Sequence, residues 1–136
     1  MSASTQNFLQ LLGRIMLSLI FIVAGIRMAM AFTGTVAYMT KLGVPFTEPL
    51  AVAAIALAIF GGLALLVGWK TRSIAAVLAI FVVIITPIFH AFWAVDAAAF
   101  GNQLNHFLKN VCLVGGLLYV VAFGSGMYSI EGGERR

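Results

Sequence analysis

The chain has 136 residues, which allows one domain and little else. Hydrophobic residues make up 62% and charged residues 9%, where soluble domains run at about 45–50% and about 25%, and the mean hydropathy is +1.10. That composition excludes a soluble globule, a disordered chain and a disulfide scaffold, and leaves an integral membrane protein, one domain over residues 1–136. The net charge is +4. The Lys and Arg residues sit at the ends of apolar runs and form no basic stripe, so they read as topology determinants and not as a nucleic-acid surface. Cys112 is the one cysteine, which excludes an internal disulfide and any CxxC motif.

The expected fold is all-α, a membrane four-helix bundle with spans at about 8–32, 49–69, 73–95 and 106–126. The first span holds Arg14 and Arg27. The stretch between them rises roughly 20 Å as helix, so it crosses if the two arginines snorkel toward opposite headgroups. A signal peptide cleaved after Ala29-Met30-Ala31 is the rival reading, and Arg27 fits it poorly. The loop at 33–48 carries Val36, Met39, Leu42 and Gly43 at helical spacing, which predicts a short interfacial helix ended by Gly43-Val44-Pro45. The runs 49–69, 73–95 and 110–130 are free of charge, and each exceeds the roughly 20 residues needed to cross a bilayer. They lack the alternation of barrel strands. The second loop is only Trp69-Lys70-Thr71-Arg72. The third, 96–105, carries a turn signal at Gly101-Asn102. The tail, 129–136, is polar.

Small residues predict close helix packing. Ala54, Ala58 and Gly62 form a stripe on the second span, Gly115-Gly116 do similar work on the fourth, and Arg14, Ser18 and Gly25 share a face of the first. Positive charge sets the orientation. The side with both termini holds Arg14, Lys70, Arg72, Arg135 and Arg136; the other holds Arg27, Lys41 and Lys109, a bias of five to three. Both termini are therefore expected in the cytoplasm, in a bacterial inner membrane, with Trp69 and Trp93 at opposite interfaces.

The ordered motifs resemble the DoxX family of small four-helix membrane proteins over nearly the whole chain. They are Phe21-Ile22-Val23-Ala24-Gly25 followed by a basic residue, Gly43-Val44-Pro45, and the run from Gly61-Gly62 to Gly68 with Thr71-Arg72 behind it. Phe89-His90, Phe107-Leu108-Lys109-Asn110, Gly115-Gly116 and the run from Gly124 to Ile130 complete the set. The resemblance implies a membrane protein linked to redox or quinone chemistry. Two departures stand out: Arg27 occupies a position where the family usually has Lys, and Ala58 one where it often has Glu.

Ionisable groups at membrane depth are costly, so each is a candidate. Gln103, His106, Lys109 and Asn110 fall on one helical face. That face supplies amides, an imidazole and an ammonium, which suit a quinone carbonyl or a polar headgroup; the same residues also read as the wet start of a helix. His90 follows Pro87, which removes a helical hydrogen bond and is expected to kink the third span. Phe89, Phe92 and Trp93 offer an apolar floor, or simply an aromatic belt around a structural histidine. The candidate ligand-binding set is His90, Gln103, His106, Lys109 and Asn110, with Arg27 near the rim. Quinone is the implied cofactor. Two histidines without an attachment motif do not point to haem, and no metal site or catalytic residue is assigned. The leading functional expectation is a small-amphiphile-binding component of a membrane redox system, with the lipid bilayer as its surroundings and other redox subunits or a homo-oligomer as partners. The alternatives are an oligomeric transporter and a non-catalytic assembly subunit. A reporter fused after Arg136 should behave as cytoplasmic; a periplasmic signal from it contradicts the orientation.

Overall fold

The computed structural model describes residues 2–132. Helix α1 spans Ala3–Met30, α2 Phe32–Lys41, α3 Thr47–Val67, α4 Thr71–Phe89 and α5 Ala97–Phe123, with a single 3-10 turn at Phe92–Ala94 before α5. Four of these segments are long and apolar enough to cross a membrane: α1, α3, α4 extended through the 3-10 turn to Ala94, and α5. They run alternately up and down, and α2 is the short helix expected after the first span. Its Met39 is buried, and its Tyr38 ring packs 5.9 Å from Phe89 at the end of α4.

The distribution of side chains suits lipid. Leu19, Val23, Phe60, Ile80, Ile84 and Leu118 lie exposed on the outside, while Arg14, Ser18, Thr71, Thr86, Asn110 and Ser125 are buried within. Apolar matter outside and polar groups inside is a stable arrangement only where the surroundings are hydrocarbon.

Helix α1 packs most extensively on α3, and α4 on α5; the two pairs join through α3 and α4 around Leu65, Leu78, Val82 and Leu117. Two glycines set the α1–α3 distance. A Cβ added at Gly25 would lie 2.6 Å from Ile59 Cγ1 and 3.2 Å from the Ile59 backbone nitrogen. One at Gly62 would lie 2.8 Å from Ile22 Cγ1 and 3.2 Å from the Ile22 nitrogen. The helices therefore touch backbone to backbone, as the small-residue stripe predicts.

The boundaries differ from expectation in informative places. The fourth span starts at Ala97, not near 106. Asp96 caps it, its Oδ1 accepting from the Ala99 backbone N–H at 2.9 Å. An N-cap followed by three alanines outweighs the roughly 1 kcal/mol cost of Gly101 inside the helix, so the Gly-Asn turn does not form. The third span ends as a helix at Phe89, short of 95, which makes His90 its C-cap residue. Pro87 stands inside the last turn, and the helix continues only two residues past it.

Arg14 is the largest correction. Expected to snorkel outward, it is 2% exposed. Helix α1 begins as early as Ala3, and Arg14 falls level with the carbonyls at the end of α3. Its Nη1 donates to Leu66 O at 3.1 Å and to Leu65 O at 3.4 Å, and its Nη2 donates to Tyr128 O. The tail completes the cap. Ile130 N donates to Val67 O at 3.0 Å and Glu131 N to Gly68 O at 3.4 Å. Ala64 O accepts from both Gly68 N and Trp69 N. Every carbonyl from Ala64 to Gly68 thus has a donor, in the place where a helix ordinarily leaves its last four unpaired. Gly68 turns the chain at φ 76°, and a Cβ there would collide with Ser129 and Arg14.

The same tail caps α4. Glu131 Oε2 accepts from Thr71 N and from Thr71 Oγ1, both at 3.2 Å. That places a carboxylate at the positive end of the helix dipole. The polar tail expected from sequence is therefore a strap over the α3–α4 turn as far as Gly132, and Arg135 and Arg136 lie outside the described residues.

A polar seam between α4 and α5 as candidate functional site

Helix α5 presents Gln103, His106 and Asn110 to α4 because they recur at three- and four-residue spacing. The C-cap position of His90 swings its ring off the helix and toward that face. His90 and His106 stack, with centroids 4.9 Å apart and planes 16° from parallel. His90 Nδ1 lies 3.0 Å from Gln103 Oε1. Lys109 Nζ lies 3.2 Å from His106 Nδ1. One turn deeper, Asn110 Nδ2 donates to Thr86 Oγ1 at 3.0 Å, and Thr86 Oγ1 donates to Val82 O at 2.6 Å.

These contacts assign the imidazole protons. A lysine ammonium only donates, so His106 Nδ1 accepts and its proton sits on Nε2. Gln103 Oε1 only accepts, so His90 Nδ1–H donates to it, and neutral His90 keeps Nε2 as an acceptor. The stacked pair thus offers one ring N–H donor and one ring acceptor side by side.

Beside the seam runs a groove of about 370 Å³, lined by Val83, Pro87, Trp93, Phe107, Val111 and Val114 together with the Thr86–Asn110 pair. Its aromatic wall belongs to a cluster in which Phe92 meets Trp93 at 5.0 Å, Phe107 at 5.2 Å and Phe100 at 5.8 Å, all edge to face. The expected floor is thus present in altered form. Trp93 lines the groove, Phe92 supports it from behind, Phe107 joins it, and Phe89 pairs with Tyr38 instead.

Five of the six candidate residues come together: His90, Gln103, His106 and Lys109 as one chain of contacts, and Asn110 a turn below. Arg27 does not join them. It is exposed at the end of α1, and none of the seam's hydrogen bonds or ring contacts includes it. Sequence reasoning missed Thr86 as the partner of Asn110. Its signal was the four-residue step to His90, which puts both on the α4 face toward α5.

A compact set of apolar helices with a few buried polar pairs defines a multi-pass membrane protein. The DoxX family model matches residues 9–91. The chain is 38% identical over 122 residues to inner membrane protein YqjF of Escherichia coli K12, covering 89% of this chain and 88% of the relative. It is 32% identical over 123 residues to inner membrane protein YphA of the same organism, covering 90% and 88%. No solved structure matches. The chain belongs to the DoxX family and is a multi-pass inner membrane protein. Ala58 is buried at 2% exposure against Gly25.

The Thr86–Asn110 contact is the deepest polar tie across the seam. A double-mutant cycle with Thr86→Ala and Asn110→Ala, read by unfolding in micelles, should give a favourable coupling of about 0.6 kcal/mol and no more than about 1.7 kcal/mol. Strictly additive effects contradict the contact.

Proposed function

We propose that this protein binds a small quinone-like amphiphile in the α4–α5 seam and serves as a component of a membrane redox system. The observation that carries the reading is the stacked His90–His106 pair, pinned by Gln103 and Lys109, one helical turn from the Thr86–Asn110 pair that lines an apolar aromatic groove. A quinone carbonyl requires a donor, which His106 Nε2–H supplies; a hydroquinone hydroxyl requires an acceptor, which neutral His90 Nε2 supplies. Such a molecule accepts two electrons and two protons on its ring oxygens, and imidazoles are suited to holding those protons. The groove gives the apolar ring and tail a place beside Trp93 and Phe107, the usual character of a small-ligand site. Both termini lie in the cytoplasm in this reading, so the seam sits in the outer leaflet. The partners are other redox subunits or further copies of the chain. Family resemblance supplies the redox setting, and the seam supplies the chemistry.

Purified protein in nanodiscs, titrated with a short-chain ubiquinone, should show saturable binding. His106→Ala should weaken it about tenfold, the worth of one good hydrogen bond to the ligand, with helical content unchanged. Equal binding by the His90→Ala, His106→Ala double variant overturns the proposal.

A further inference from the structure

At the opposite end of the bundle, α1 and α5 meet over only a short stretch. Gly116 touches Leu17, where an added Cβ would lie 3.0 Å from Leu17 Cδ2. Below that contact the helices part around a cleft of about 630 Å³. Its character changes along its length. Toward the membrane interior it is lined by Leu17, Gly116 and Val120; toward the termini it is lined by Gln6, Gln10 and Arg14.

The last three residues recur every fourth position on α1, so they share a face. Neither Gln6 nor Gln10 uses its side-chain amide in a hydrogen bond among the described residues. Arg14 is 98% buried by its 2% exposure, and its Nε–H finds no acceptor. Its partners among the described residues are backbone carbonyls. Carbonyl dipoles orient a guanidinium but do not neutralise it, so a full positive charge stands at the cleft wall in a medium that screens poorly. Lys70 adds to the same end, and Glu131, the one described carboxylate among these groups, is engaged at the start of α4. A cationic head region, free amide donors and an apolar channel leading inward match one kind of occupant.

We propose that the α1–α5 cleft is a binding site for an acidic phospholipid of the leaflet at this end. Its phosphate lies near Gln10 and Arg14, and one acyl chain runs past Leu17, Gly116 and Val120. The site is separate from the α4–α5 seam and does not depend on the quinone reading. The lipid supplies the negative charge that no described residue brings to Arg14. It also fills a gap that hydrocarbon alone would leave in contact with unpaired amides, which is costly at membrane depth.

The test is lipid selectivity of the intact chain by native mass spectrometry after equilibration with equal amounts of phosphatidylglycerol and phosphatidylcholine. One phosphatidylglycerol per chain should be retained in preference, by roughly fivefold or more, as a charge-assisted contact implies. Gly13→Leu is the blocking variant. Gly13 lines the cleft, and a Cβ there meets nothing within 4 Å, so the leucine fills open space and replaces a poor helix former with a good one. It should abolish the preference without lowering thermal stability. The Gln6→Ala, Gln10→Ala double variant, which also removes the Gln10 side chain from over Gly126 and is therefore read beside its own thermal stability, should reduce the preference at least twofold. Equal retention of the two lipids by the unaltered chain overturns the proposal. So does an undiminished preference in both variants.

Discussion

The structure depends on a buried arginine whose partners among the described residues are backbone carbonyls. Arg14 reaches across from α1 to the end of α3 and to the tail, and holds three carbonyls that would otherwise be orphaned. A buried guanidinium costs several kcal/mol in lost hydration, and hydrogen bonds to a charged donor each return about 1.5–3 kcal/mol. The balance favours burial only when most of the donors are used at once. That requirement fixes the relative heights of α1 and α3, the left-handed turn at Gly68 and the path of the tail over it. Ser18, one turn further along α1, closes its own hydroxyl onto Arg14 O at 2.6 Å. The Gly25 and Gly62 contacts then keep the two helices close enough for the arginine to reach.

The two ends of the bundle consequently have different characters. At the terminal end, strap and arginine use up backbone polar groups, and Glu131 caps α4 from far along the sequence. At the opposite end, the polar groups are side chains paired to one another: His90 with Gln103, His106 with Lys109, Asn110 with Thr86. Paired side chains exchange partners at modest cost, because a ligand oxygen can replace an amide or an imidazole contact. Backbone caps cannot be released so cheaply without loosening a helix end. The seam is for this reason the better place for exchangeable chemistry, and the cap the better place for permanence. Charge ordering of the bundle follows the same division, with Arg14 fixed internally and Arg27 left exposed at the other end of the same helix.

Much of this was legible in the residues. Span number, the interfacial helix after the first span, the small-residue crossing and the convergence of five polar residues all follow from periodicity and composition, because helical spacing alone decides which side chains share a face. What periodicity does not carry is long-range partnership. Arg14 looks like a snorkelling anchor until α1 is seen to begin at Ala3 and α3 to end beside it. Glu131 looks like a solvated tail residue until the turn at Gly124 carries it back to Thr71. Gly101-Asn102 carries a turn signal that is locally sound, and the Asp96 cap overrides it. Arg27 sits on the correct side of the bundle for the seam, but on a helix whose packed face is turned toward α3.

The central claim is that Arg14 ties the tail to the end of α3 by donating to backbone carbonyls. Hydrogen exchange of the Ile130 and Glu131 amides measures this directly, since both donate to the α3 end. In the unaltered protein they should be protected. In Arg14→Lys, whose single ammonium cannot span three carbonyls in a planar fork, they should exchange freely while the amides at the centre of α4 remain slow. Protection of Ile130 and Glu131 that survives the substitution intact contradicts the account.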